Sequence, residues 1–337
     1  MNGLKKYCRR FLASHKKIKI AVKDFYKMES TELVINKKIL VPSVSEKSLP
    51  AGQKIEGLIV TIVGVGLISG SFALAMKEKG IAKKIIGVSK TEESLQKAKE
   101  LGIIDEALPL EEAVKQSDFI YVAIPVDATV VVMKQIMDLL TDKQMVADAG
   151  STKFVLCHTL KDHPMRHRFI ATHPMWGTEY SGPEAAVRGA FEGRACVICE
   201  KEKTDTDVVA VVENIYKLFG MNIVYMDAHS HDIHAAYISH ISHITSFALA
   251  NTVLEKEKED DAIFALAGGG FESTVRLAKS NSAMWAPIFM QNRENVLDVL
   301  NEHISQLRKF KASLEKENLE YLVELMENAN KIKRILQ

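Results

Sequence analysis

The sequence has few of the features that mark specialised protein classes. Its 337 residues include only four cysteines, too few for a disulfide framework. No run approaches the roughly 20 consecutive apolar residues that cross a bilayer. Lys and Arg (44) balance Asp and Glu (43) to a net charge of +1, which argues against a protein built to coat nucleic acid. A content of 47% hydrophobic residues is typical of a globular protein. The few cysteines indicate a reducing compartment, which we expect to be the cytoplasm.

The small net charge hides an asymmetry along the chain. Residues 1–56 carry 13 Lys and Arg against five acids, a net of +8, so the remainder carries −7. This leader lacks the apolar stretch of a secretory signal. We interpret it as an accessory extension without a role in the chemistry. A targeting peptide, a basic surface helix and an over-long reading frame are the alternatives.

The remaining sequence alternates strand and helix up to about residue 226. Apolar segments of strand length are separated by helical ones at residues 58–63, 84–88, 118–124, 144–148 and 168–172. This alternation predicts a Rossmann-type, doubly wound α/β sheet over residues 57–226. Cys196 and Cys199 form a C-x-x-C pair, but they lie in a further strand-like segment. Residues three apart on a strand point to opposite faces, so we expect core packing and no shared metal.

Residues 227–337 have a different pattern, without a convincing strand. Helical segments are predicted at residues 231–257, 262–280, 284–311 and 319–336. We therefore expect an all-helical C-terminal domain. Its broad apolar helix faces favour a homodimer.

A glycine loop follows the first predicted strand. Gly64 permits a tight turn and Gly66 a close approach of the backbone to phosphates, while Ser69 stands at the usual third glycine. Leu67 and Ile68 open the following helix, whose N-terminus favours anions. The context predicts dinucleotide binding.

The end of the second strand bears on the choice of dinucleotide. An NAD site usually has Asp or Glu there, whereas this chain has Ser89 and Lys90. Both can hydrogen-bond a 2′-phosphate, so the sequence favours NADP over NAD. Glu92 and Glu93, close behind, favour NAD.

Three other strand ends bring polar or turn residues to the same edge of the sheet. Pro125, Ser151 and His173 each follow or end a predicted strand. Ligands of open α/β sheets bind at this edge, so we expect Ser151 and His173 to lie beside a nicotinamide. At such a place His173 is a candidate acid or base.

The segment HPMWGTEYSG and four other motifs together resemble the prephenate and arogenate dehydrogenase family of tyrosine biosynthesis. Residues 173–182, HPMWGTEYSG, resemble the family segment H-P-x-x-G-T-E-x-S-G. The others occupy residues 64–71, 148–153, 239–243 and 268–276, the last followed by Met284 and Trp285. They occur in the family's order and cover the chain from Leu58 onward.

The resemblance implies a reaction and roles for individual residues. The reaction is an NAD(P)-dependent oxidative decarboxylation, in which hydride leaves the carbon bearing the hydroxyl, the ring carboxylate departs as CO2 and the ring becomes aromatic. His173 would be the base for the hydroxyl, with Ser151 orienting it. Arg276 would bind a substrate carboxylate and Glu179 would gate or pair with it, while His243 and Trp285 would line the pocket.

One residue departs from the family pattern and leaves the substrate open. The family often has Asp three residues before the arginine, and here Ser273 stands there, so a carboxylate that steers Arg276 is expected to be missing. Prephenate is the expected substrate, and arogenate, which would give tyrosine directly, is the alternative.

Other classes are less consistent with the residues. The histidine-rich stretch at residues 229–243 contains no H-E-x-x-H arrangement, so we expect no metal. A β-hydroxyacid dehydrogenase would need a Lys on the first long C-terminal helix, and residues 231–254 contain none. A non-catalytic dinucleotide-binding module is the remaining alternative. We expect neither a membrane nor a nucleic acid as partner.

Overall fold

The computed structural model describes residues 55–257 and 266–334. The basic extension predicted for residues 1–56 lies outside them except for its last two residues. The beginning of the helix predicted at 262–280 also lies outside the described residues.

One mostly parallel sheet dominates the first half of the described chain. Its spatial order is β3-β2-β1-β4-β5-β6-β7-β8, and only the pairing of β6 with β7 is antiparallel. The order of strands reverses between β1 and β4, which opens a crevice at the carboxyl ends of these two strands. The strands are β1 Leu58–Val63, β2 Ala82–Val88, β3 Glu106–Ala107, β4 Phe119–Val122, β5 Met145–Asp148, β6 Phe169–Pro174, β7 Ala195–Cys199 and β8 Asn222–Met226.

Helices cover both faces of this sheet, so the predicted doubly wound Rossmann-type fold is confirmed. In chain order they are α1 Leu67–Glu78, α2 Glu92–Glu100, α3 Leu110–Gln116, α4 Val126–Leu139, α5 Phe154–Leu160 and α6 Thr206–Leu218. Two apolar clusters form the core, one on each face. The ring of Phe72 on α1 stacks on Tyr121 of β4 at 3.8 Å in one cluster, and Met133 of α4 packs with Phe169 of β6 in the other.

The cysteine pair lies in the core, as predicted. Cys196 belongs to the cluster on one face of the sheet and Cys199 to the cluster on the other. Burial raises the pKa of both thiols. The two sulfurs therefore act as small apolar groups of β7.

The second half of the described chain is helical, again as predicted, but its helices are divided differently. The segment predicted as one helix at 231–257 contains a π-helical turn, and the one predicted at 284–311 is broken at Asn292. The elements are α7 Ala228–Ala235, the π-helical turn Ala236–His240, α8 Ile241–Glu257, α9 Gly269–Val275, a 3₁₀ turn Arg276–Lys279, α10 Ser282–Gln291, α11 Arg293–Glu315 and α12 Leu319–Asn330. None of the helices in the described ranges has both the length and the apolar composition of a membrane span.

Candidate active site

The loop between β1 and α1 has the shape of a phosphate-binding turn. Gly64 has a φ of +88°, and a Cβ there would lie 2.5 Å from the carbonyl oxygen of Ala123, so only glycine fits. Beside Gly66, the space that a Cβ would occupy is open. The first turn of α1 has no acidic residue and no side-chain cap, so its N–H groups can meet an anion. The loop therefore fits the pyrophosphate of a dinucleotide.

The start of α1 packs tightly against the segment after β6. Leu67 and Ile68 are half-buried, and Ser69 is buried with Oγ 3.5 Å from the carbonyl oxygen of Gly66. A Cβ on Gly70 would lie only 2.8 Å from Cβ of Ala186.

Two further predicted cofactor segments border the glycine loop. Ser89 and Lys90 follow β2, and Lys90 is exposed, with no ion-pair partner among the described residues. Pro125 is exposed and immediately precedes α4. Its neighbour Val126 packs in a buried cluster with Trp285 of α10, which joins this border of the loop to the helical half.

His173 lies near the end of β6 and is hydrogen-bonded to the helical half. Its Nδ1 is 2.8 Å from Nε2 of His231, and Nδ1 of His231 is 2.7 Å from Oδ1 of Asp232. His231 and Asp232, on α7, are both buried. The three side chains form a hydrogen-bonded relay, which we call the Asp232–His231–His173 relay.

The contacts of Asp232 set the direction of these hydrogen bonds. The backbone N–H of Lys153 donates to Oδ1 at 2.7 Å and that of Phe154 to Oδ2 at 3.0 Å, so the carboxylate caps α5. A carboxylate only accepts, so Nδ1–H of His231 donates to it. With both rings neutral, Nε2 of His231 then accepts from Nδ1–H of His173. Nε2 of His173 is left with its lone pair as the ring's remaining acceptor.

The electrostatic surroundings of His173 keep it neutral. Burial holds the pKa of His173 well below its ordinary value of 6.5, and the positive charge of Lys153 acts in the same direction. At neutral pH the ring can therefore accept a proton.

A second part of the site is built around Arg276. Its Nη1 forms an ion pair with Oε2 of Glu179 at 3.1 Å, across 97 residues of sequence. The pKa of Glu179 is held below its ordinary value by a hydrogen bond from the backbone N–H of Glu179 itself and by the Arg276 guanidinium. One turn further on, Lys279 lies 3.7 Å from Glu272. Cationic side chains thus stand together at the end of α9, each with an acidic partner.

His243 and Trp285 form an aromatic wall of the helical half. Their rings stack with centroids 3.4 Å apart. Burial lowers the pKa of His243, so the ring is a neutral hydrogen-bonding group. Behind it, His240 is buried with its ring edge toward Trp285, and Asn292 donates to its Nδ1 at 3.2 Å.

Comparison with known proteins identifies the family. Residues 72–225 match the model of the prephenate dehydrogenase nucleotide-binding domain, and residues 227–328 match that of the prephenate dehydrogenase dimerization domain. The prephenate dehydrogenase of Bacillus subtilis is 32% identical over 80% of this chain and 74% of its own length. The chain belongs to the prephenate dehydrogenase family.

Two more relatives agree with this family of oxidoreductases. The crystal structure of Aquifex aeolicus prephenate dehydrogenase with hydroxyphenyl propionate and NAD+ has a TM-score of 0.77 and 33% identity. It covers 84% of this chain, and 99% of its own length is covered. The cyclohexadienyl dehydrogenase of Zymomonas mobilis is 27% identical, with 82% of this chain and 96% of its own length aligned.

Two expectations drawn from the family resemblance concern the partners of His173 and Arg276. Ser151 was expected to orient His173, yet in residues 55–257 and 266–334 no hydrogen bond joins them, and Nδ1 of His173 pairs with His231. Glu179 pairs with Arg276, as the resemblance implied, and supplies from the segment after β6 the carboxylate that Ser273 does not provide. Both contacts join segments that are far apart in sequence.

Three residues of this family member were not identified from the sequence. His231 lies in the histidine-rich stretch, and Asp232 and Asn292 belong to none of the five motifs. The one available signal was the His-Asp pair in adjacent positions. No group of His, Cys, Asp and Glu suited to a metal ion occurs in the described part of the chain.

Proposed function

We propose that this chain catalyses the oxidative decarboxylation of prephenate to 4-hydroxyphenylpyruvate, with a nicotinamide dinucleotide as hydride acceptor. The observation that carries the proposal is the Asp232–His231–His173 relay, which leaves Nε2 of His173 as an acceptor at the edge of the sheet that bears the glycine loop. The nicotinamide, when bound, takes the hydride from the ring carbon.

His173 is the base for the substrate hydroxyl. Its Nε2 takes the hydroxyl proton as hydride leaves the same carbon, and the resulting imidazolium donates through Nδ1–H to His231. The charge is stabilised by Asp232 through His231. As the ring carboxylate leaves as CO2, its electron pair makes the ring aromatic, and the proton returns from His173 to the phenolic oxygen. The base is therefore regenerated in each turnover.

Arg276 binds a carboxylate of the substrate. A planar guanidinium matches a carboxylate with two parallel hydrogen bonds. Its side chain is about half exposed, so a ligand can reach it although Glu179 occupies Nη1. We propose that Glu179 holds the guanidinium in place before the substrate arrives and that Ser151, His243 and Trp285 line the pocket.

The cofactor is held by residues of the nucleotide-binding half, residues 57–226. Gly64 and Gly66 admit the pyrophosphate at the N-terminus of α1, with Leu67, Ile68 and Pro125 beside it. We propose NADP as the preferred form, supported by Ser89 and by the exposed, unneutralised Lys90. The absence of an acid directly after β2 removes the usual partner of the NAD ribose.

The helical half, residues 227–337, also mediates homodimerisation in this proposal. Relatives share a domain named for dimerization, and exposed apolar side chains are numerous on these helices. They include Tyr237, Ile238, Leu254, Met290, Leu297, Leu307, Leu314, Leu319, Val323 and Met326. Sedimentation of the purified protein tests the dimer, and a monomer at micromolar concentration would contradict it. The scarcity of cysteines supports a cytoplasmic enzyme.

A two-by-two assay tests the activity, with prephenate or arogenate as substrate and NAD+ or NADP+ as oxidant. The initial rate of formation of the reduced cofactor is measured. Loss of the ring carboxylate is followed as released CO2. We expect the highest kcat/KM with prephenate and NADP+. Turnover of arogenate alone would identify the alternative substrate. No reduction in any combination, with cofactor still bound, would favour the non-catalytic binding module.

A further inference from the structure

A buried ion pair lies directly behind the residues assigned to catalysis. Nζ of Lys153 donates to Oδ2 of Asp148, and both side chains are fully buried. Asp148 ends β5 and Lys153 immediately precedes α5, so the pair closes the loop that carries Ser151. Two opposite charges removed from water are costly unless they are paired and further hydrogen-bonded. Apolar side chains would serve a purely packing role at lower cost.

The contacts of Asp148 hold the main chain on both sides of the site. Its Oδ2 also accepts from the N–H of Gly150 at 2.9 Å, within the Ser151 loop. Its Oδ1 accepts from the N–H of Thr172 at 3.2 Å, and Thr172 directly precedes His173. One carboxylate therefore sets the end of β6 against the Ser151 loop.

The main chain of Lys153 reaches the other end of the relay. Its N–H donates to Oδ1 of Asp232, the same oxygen that accepts from His231. Following the contacts in order returns to the starting residue, so the pair and the relay form one closed polar ring. The ring runs through Lys153, Asp148, Thr172, His173, His231 and Asp232.

From this ring we infer that Asp148 and Lys153 are positioning residues of the reaction, which fix His173 relative to Ser151 and to His231 without touching substrate or cofactor. Both side chains are fully buried, and their polar atoms contact each other and the surrounding main chain. The inference rests on the proposed function, because it assigns the ring to the same base.

The pair also has an electrostatic effect on His173. The titratable groups around the imidazole of His173 are His231 and Asp232 on α7, His240 in the π-helical turn, and Asp148 and Lys153 at the Ser151 loop. The positive charge of Lys153 disfavours protonation of His173. Removing that charge while Asp148 stays charged makes protonation easier, and the acid limb of kcat/KM then moves to higher pH. A pair that only stabilised the fold would leave this limb in place.

The test uses the full chain and three variants, with Asp148→Asn alone as a fourth if Lys153→Met does not fold. Lys153→Met removes one charge, and the double variant Asp148→Asn with Lys153→Met removes both without leaving a buried charge unpaired. Lys161→Met, at an exposed lysine just after α5, is the matched control. The measurements are kcat and KM for prephenate, the pH profile of kcat/KM, NADPH affinity by fluorescence, and near-ultraviolet circular dichroism.

We expect the double variant to lose about 10- to 100-fold in kcat, as a misplaced reacting group does, with KM and NADPH affinity unchanged. The acid limb of Lys153→Met moves to higher pH. Unchanged kcat and pH profiles in the folded variants would overturn the inference. A rise in KM or a loss of NADPH affinity with kcat intact would also overturn it, because it would mean that the pair binds a ligand directly. If Lys153→Met does not fold, kcat is compared instead for the double variant and for Asp148→Asn alone, whose amide oxygen still accepts from Thr172. Failure of the wild-type chain with every substrate would instead refute the proposed function, since NADPH affinity is measured separately.

Discussion

Nδ1 of His231 lies 2.7 Å from Oδ1 of Asp232, and both side chains are buried where α7 meets the sheet. This contact fixes which nitrogen of His231 carries the proton, and through it the tautomer of His173. The tautomer of a β6 residue is thus set by the helical half.

Asp232→Asn should lower kcat by about 10²- to 10⁴-fold, because an amide can donate to His231 and so reverse the tautomers along the relay. KM for prephenate should change little. Asp227→Asn is the matched control. Asp227 caps α7, the helix that carries Asp232, by accepting from the N–H of Ser230, but it does not contact the relay. Steady-state kinetics check both variants. Equal losses of kcat in the two would remove the relay from the mechanism.

His173→Asn should lower kcat by roughly 10²- to 10⁴-fold, the usual contribution of a general base. Asparagine keeps a polar side chain of similar reach but cannot take up the hydroxyl proton. Binding of NADPH, followed by fluorescence, should remain as in the wild-type protein. A near-normal rate would show that another group accepts the proton.

The pH profile should show a base that is active throughout the neutral range. Because the folded-state pKa of His173 is lowered well below 6.5, the ring is neutral above that value and becomes protonated only as pH falls through its depressed pKa. We therefore expect kcat/KM for prephenate to be flat from neutral pH down past 6.5 and then to decline. Measurement at constant ionic strength checks this. A decline centred above pH 6.5 would contradict a neutral His173.

Arg276→Ala should mainly raise KM for prephenate. Loss of about 3 kcal/mol of carboxylate binding corresponds to a change on the order of 10²-fold in affinity, with kcat less affected. Lys279→Ala, in the same 3₁₀ turn and paired with Glu272, is the control. If KM rises equally in both variants, general positive charge and not the guanidinium binds the substrate.

Lys90→Glu should weaken NADP+ selectively. A carboxylate at this position repels a 2′-phosphate and can accept from a ribose hydroxyl, so KM for NADP+ should rise while KM for NAD+ stays level or falls. Lys99→Glu, an exposed lysine later on α2, has the same change in charge and serves as control. An unchanged ratio of the two KM values would place the 2′-position elsewhere.

The sheet was largely predictable because its central strands are marked by local sequence. Residues 58–63 are apolar on both faces, as a strand buried between helices must be, and the glycine loop follows them directly. β3 has only two residues. β8 contains the apolar run Ile223 to Met226 but is a sheet edge with mostly exposed side chains, so neither strand has the pattern of a central strand buried on both faces. The break between α10 and α11 has no local breaker. It occurs at Asn292, whose amide donates to the carbonyl oxygen of Asp232 and to His240.

The candidate site was predictable where one segment carries both the residue and its context. His173 and Glu179 lie in one motif, and Trp285 lies in another. The partner of His173 was not predictable in this way, because it depends on how α7 packs beside β6, 58 residues along the chain. Ser151 lies in the motif that precedes the one of His173, but the hydrogen bond to Nδ1 of His173 is made by His231.

The carboxylate of Asp232 caps α5 of the sheet half while its own helix belongs to the other half. For domain exchange between relatives this has a practical meaning. A chimera that combines one enzyme's sheet with another's helices inherits a working base only if α7 docks in register, so that His231 and the α5 cap are satisfied together. The boundary that sequence patterns place near residue 226 is therefore a poor crossover point, and one after α7 would transfer the relay intact with the sheet half.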